Sequence, residues 1–185
     1  MLTSSVWRGT KNVVYFNRGL LLGGTATGLL LLLPAAVTHT AIPGSWAVPL
    51  MLGLVVLALG CDVKLLPFRL PQNARQVPSS IVARSDGSGA LQFGFEMGTG
   101  LRTFMPTHLP YVLVSLVLLG APWWTAPIAG FCFGAGRAIM VLSAVRLGNA
   151  ADWDRHFAAR KKVILAGCWL SMACALAVIV ISGMS

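Results

Sequence analysis

The feature that most constrains this chain is a succession of long apolar runs whose short connections are alternately basic and free of basic residues. The runs lie at about Gly19 to Val37, Trp46 to Leu66, Leu91 to Gly120, Trp123 to Leu147 and Val163 to Ile181. Each is close to or above the ~20 residues a helix needs to cross ~30 Å of hydrocarbon. The connections His39 to Ser45 and Gly120 to Pro122, and the terminal Gly183 to Ser185, carry no lysine or arginine. Five spans with a cytoplasmic N-terminus and an external C-terminus place all three outside, as the positive-inside rule requires. The expectation is an all-α, polytopic protein of the plasma or inner membrane. It forms one membrane domain over residues 1–185, with cytoplasmic loops Phe68 to Gly89 and Asn149 to Lys162.

Charge supports the same reading. Only 10% of the residues are charged, against roughly a quarter in soluble domains. The formal net charge of +9 would suggest nucleic acid on a soluble surface, but here the basic residues flank apolar runs. The expected partner is therefore the lipid bilayer, with anionic lipids at its cytoplasmic face, and not nucleic acid. Other membrane proteins or a second copy of the chain remain open as partners. Arg8, Lys11 and Arg18 precede the first run as in a signal peptide, but the run exceeds an h-region, so a retained span is expected.

The third run is too long for one straight span and is interrupted by Pro106 and Pro110. Gly94, Gly98 and Gly100 come before the prolines, and Tyr111 to Leu119 reads as plain membrane helix. The spacing predicts a helix broken at Pro106–Pro110, a structural joint that frees carbonyls and removes donors. Such irregular backbone is tolerated in a membrane only where protein or a wet cavity satisfies it. Thr107 and His108 sit in the joint and are candidate binding residues, as in discontinuous transporter helices. A single histidine without carboxylate partners is weak evidence for a relay.

Charges inside the runs are the other candidates. Arg137 stands deep in the fourth run, within Gly134-Ala135-Gly136-Arg137-Ala138. An arginine at mid-membrane costs at least ~2.5 kcal/mol on insertion scales, so it requires protein around it. Glu96 is its candidate partner by sign, and Arg102 lies near the same joint. Gly130 and Gly134 present a smooth face for close helix packing, expected to bring the broken helix near Arg137. The alternative has Arg137 snorkelling to the cytoplasmic side while Glu96 rests at the interface. Asp152 and Asp154 are read as solvated residues of a charged loop, with a short surface helix over Asn149 to Lys162.

The cysteines Cys61, Cys132, Cys168 and Cys174 form no Cys-x-x-Cys pair and have no histidine cluster beside them. No metal site or cofactor is expected. No Ser-His-Asp or Cys-His pattern suggests a hydrolase, so an enzyme is not the favoured reading.

The segment Gly98-Thr99-Gly100-Leu101-Arg102-Thr103-Phe104-Met105-Pro106-Thr107-His108-Leu109-Pro110-Tyr111 resembles the cytochrome c biogenesis and DsbD-like transmembrane thiol–disulfide carriers. Pro106 and Pro110 match the two prolines of that family's helix-breaking motif, and Thr107 stands at its cysteine position. The resemblance implies a broken-helix architecture. It also implies a lost or altered activity, because a threonine hydroxyl cannot replace a thiolate in disulfide exchange. Two function classes follow. One is a small transporter or permease-like unit; the other is a non-catalytic membrane subunit or assembly factor. A degenerate thiol-redox protein is third.

Overall fold

A computed structural model describes residues 10–67, 87–100, 107–147 and 150–183. All regular structure among them is helical. The α-helices are α1 (Thr10–Leu30), α2 (Leu32–Ala41), α3 (Gly44–Asp62), α4 (Ser88–Gly98), α5 (Leu109–Leu119), α6 (Ala126–Leu147) and α7 (Ala150–Gly183). A 3-10 turn over Trp123–Thr125 leads into α6. Among the described residues, four segments are long and apolar enough to cross a membrane: Lys11–Ala41, Gly44–Asp62, Trp123–Arg146 and Asp152–Ile181. None of the most apolar window of the last is buried.

The third run differs from the others. It holds two helices of 11 residues each, α4 and α5, and each rises only about 16 Å. The joint itself is partly outside the described residues, since Arg102 and Pro106 are not among them. Pro110 lies in the first turn of α5, where its missing N–H would be unsatisfied in any case. Between α1 and α2 the interruption falls at Leu31. Pro34 explains it, because its ring has no N–H and clashes with the carbonyl four residues earlier. The helix expected along the membrane surface at Asn149 to Lys162 is not separate. From Ala150 onward those residues are the first turns of α7, and no proline or glycine intervenes before Gly167.

Contacts divide the chain into two compact units. The first contains α1 up to Leu29, α4, nearly all of α6, and α7 as far as Arg160. Its core is Phe16, Leu20, Ala90 and Ala138, with Phe93, Met97 and Val141 packed against them. The second contains α2, α3, α5, the 3-10 turn, and α7 from Lys161. Its core is Met51, Ala58, Val112 and Leu116, covered by Trp169, Met172, Leu176 and other residues of α7.

In the first unit, glycine sets the helix spacing. Gly19 and Gly23 of α1 meet α4; a Cβ on Gly23 would stand 2.9 Å from the Thr99 nitrogen. Gly94 and Gly98 return the contact onto Phe16 and Leu20, and a Cβ on Gly98 would be 2.9 Å from the Leu20 Cα. Gly24 and Gly28 of α1 meet Gly130 and Gly134 of α6 in the same way. Five residues separate the two glycine pairs of α1, which turns them about 140° apart. So α1 is gripped on two faces, each by a small-xxx-small pair suited to close backbone approach in lipid.

The partners also fix relative direction. Phe16 faces Gly94 and Leu20 faces Gly98, so α1 and α4 run parallel. Gly28 faces Gly130 and Leu20 faces Gly134, so α6 runs opposite to α1. In the second unit, His108 meets Asp62 while Gly120 meets Met51, so α5 runs opposite to α3. Trp169 reaches Asp62 and Ile179 packs at Gly120, so α7 runs with α5.

Candidate functional site

The predicted residues fall into both units. In the first, Glu96 lies on α4, and its Oε1 accepts from Gln92 Nε2 at 3.5 Å. Arg137 lies on α6 with its guanidinium carbon 5.7 Å from the Phe133 ring centroid, within the range of a cation–π contact. Gly130 and Gly134 do form a packing face, but onto α1. The matching glycines are those of α1, and α4 and α6 each take a separate face of it. Of the joint residues, Pro106 and Arg102 lie outside the described residues. Thr107, His108 and Pro110 belong to the second unit.

Around His108 the structure assembles a polar centre that the sequence analysis did not foresee. α3 ends at Asp62 in a Schellman arrangement: Leu65 N–H donates to the Gly60 carbonyl at 2.9 Å and Lys64 N–H to the Cys61 carbonyl at 3.1 Å. Lys64 takes the left-handed conformation, φ 62°, that this stop requires. The stop leaves the Asp62 carboxylate at the tip of α3, beside the first turn of α5. His108 precedes that turn as its N-cap. Its backbone N–H donates to Asp62 Oδ1 at 2.9 Å, and its ring Nδ1 lies 2.6 Å from the same oxygen. From α7, Trp169 Nε1 donates to Asp62 Oδ2 at 3.2 Å. Three helices therefore converge on one carboxylate.

The centre is nearly dry. The Asp62 and His108 side chains are 5% and 13% exposed, and the outer ring nitrogen, His108 Nε2, is buried with no hydrogen-bond partner. Such an orphaned group calls for a reason, since buried polar atoms are normally paired. The Tyr111 ring stands 6.4 Å away, centroid to centroid. An apolar groove of about 270 Å³ begins one turn further on, lined by Leu54, Leu57, Ala58, Tyr111, Ser115 and Leu118 among others.

Chemically, the carboxylate does two things. The backbone N–H and the indole N–H can only donate, so both oxygens act as acceptors. With the ring neutral and the carboxylate ionised, His108 Nδ1–H is then the third donor and the lone pair stands on Nε2. Asp62 thus fixes the ring and its tautomer, as carboxylates do for functional histidines elsewhere. The expectation that His108 lacks a carboxylate partner is corrected by this geometry. A signal was present: Asp62 is one of only five acidic residues and lies inside the second apolar run, where an acid is costly and functional by default.

No protein-family model matches the chain, and no curated protein or solved structure shows significant similarity to it.

Proposed function

We propose that the chain is a small membrane protein of the transporter or permease class whose polar centre is the Asp62–His108 pair. The crossings are α1 with α2, then α3, then α4 with α5, then α6, and finally α7. The N-terminus is cytoplasmic and the C-terminus external, in a plasma or inner membrane. The helix directions within each unit are compatible with this: in the first, α1 and α4 run together with α6 opposite, and in the second, α5 and α7 run together with α3 opposite. The exposed Arg155, Arg160, Lys161 and Lys162 of α7 then face the anionic cytoplasmic leaflet, where each basic side chain gains about 1 kcal/mol.

One observation carries the functional reading: a buried carboxylate–imidazole pair at the mouth of a short helix, with the imidazole's outer nitrogen unengaged. A purely structural clamp has no use for that nitrogen. Glu96 and Arg137 in the glycine-packed unit, and Arg102 and Pro106 outside the described residues, are further candidate binding residues. Reconstitution tests the proposal. Proteoliposomes challenged with a panel of small salts and neutral solutes should re-equilibrate at least about tenfold faster than empty vesicles for one of them, by stopped-flow light scattering. Asp62→Asn should return that rate to the empty-vesicle level. Folded protein that accelerates none of them would contradict the proposal. It would favour a non-catalytic subunit or assembly factor, to which the unburied apolar length of α7 offers a docking face.

A further inference from the structure

We infer that His108 Nε2 is a proton-loading atom, so that whatever this protein moves is moved together with protons. The inference rests on the permease reading for its consequence, but the site itself rests only on the geometry around Asp62.

With Nδ1–H committed to Asp62 at 2.6 Å, the neutral ring offers Nε2 only as an acceptor. Such a lone pair takes a metal ion or a hydrogen; no group of three metal-ligating side chains stands among the described residues, and the smallest ligand that brings a hydrogen is the proton. When Nε2 takes it, the imidazole becomes imidazolium and the carboxylate keeps its charge. The pair passes from net −1 to net 0, and no bond other than the new N–H is made. Neutralising a buried charge is favourable in a dry apolar setting. The negative oxygen against the ring also holds the added positive charge. The Asp62–His108 pair is therefore cheapest to bury when loaded, which suits a carrier that must pass a proton through its apolar state.

No other charge competes at close range among the described residues. α3 contributes Asp62, and the side chain of Lys64 two residues on is exposed. α7 contributes the indole of Trp169 through its bond to Asp62, while the neighbouring Cys168 is exposed. On α5 the nearest titratable group is Tyr111, one turn along.

The test uses the full chain in lipid nanodiscs with ¹⁵N-labelled histidine. There are three histidines, and His108→Gln assigns the signal. The expected result is the Nδ1–H tautomer in spectra at pH 8, and a second ring proton, on Nε2, in the series recorded down to pH 5. In Asp62→Asn the ring should no longer be held in the single Nδ1–H tautomer, because the carboxylate that accepts from Nδ1 is gone. An Nε2–H tautomer in the wild-type protein near pH 8 would overturn the inference. So would a ring that takes up no proton across this range. Both wild-type readouts stand even if the variant fails to fold. Expected spectra combined with no solute flux in proteoliposomes would sink the permease reading and leave the proton site intact.

Discussion

Gly130→Val should cost about 3 kcal/mol of stability or more, while Gly136→Val, on the same helix, should change it by less than about 0.5 kcal/mol. The difference lies in what the new atoms meet. A Cβ on Gly130 would stand 2.8 Å from the nitrogen of Gly28 and 2.9 Å from its Cα. Those are backbone atoms of α1 and cannot rotate away. Around Gly136 nothing lies within 4 Å. In lipid no gain in hydrophobic burial compensates for pushing the helices apart, since association there depends on close packing. The valine at position 130 would forfeit that packing along α1 and α6. Thermal unfolding or steric trapping in detergent micelles measures both variants. Equal losses at the two positions would mean that α1 and α6 do not meet at their glycines.

The second large effect is expected at Asp62. Asp62→Ala would strand the His108 backbone N–H, the His108 ring Nδ1–H and the Trp169 indole N–H at a site where both partners are nearly buried. Losing one partner of a buried, hydrogen-bonded charge pair costs about 3–5 kcal/mol. Trp169→Phe removes a single long bond and should cost only about 1 kcal/mol. Combining the two should cost less than their sum, because the indole has no carboxylate left to lose. Chemical denaturation of the four proteins in mixed micelles would measure this coupling. An Asp62→Ala protein as stable as the wild type would show that the carboxylate does not hold α3, α5 and α7 together.

The parts of this arrangement that were legible in the sequence are those written as long periodic or compositional signals. The apolar runs became helices, and four of them are long enough to cross a membrane. Of the third run, the described residues form two helices of 11 residues each, and the joint expected between them lies partly outside the described residues. Gly130 and Gly134 stand against α1, a partner that their own run does not identify. That partner is written in α1 as Gly24 and Gly28, inside a leucine-rich run where two glycine pairs are easily taken as ordinary small residues. Register between helices distant in sequence is a three-dimensional property, and neither run alone specifies it.

The polar centre was missed for a related reason. Asp62 and His108 are 46 residues apart, and Trp169 lies a further 61 residues along. Reading His108 by itself gave a lone imidazole in a proline joint. Glu96 drew the attention due to an intramembrane acid because it shares the third run with the joint. Asp62 sits at the end of a helix, where an acid also passes for an interfacial residue. What distinguishes it is the Schellman stop at Lys64, which holds the carboxylate at the tip of α3 in reach of His108. The continuity of α7 from Ala150 was likewise obscured. A charged stretch before an apolar one reads as a loop, although alanine, arginine and lysine are all good helix formers.

The most direct test of the central claim, that these helices cross a bilayer with the basic connections on the cytoplasmic side, is thiol labelling in intact cells. A cysteine-free background with Ser45→Cys or Asp154→Cys, treated with a membrane-impermeant maleimide, places the two connections. Ser45→Cys should label before the membrane is opened and Asp154→Cys only afterwards. Labelling of both positions from the same side, or a chain that stays in solution without detergent, would contradict the arrangement.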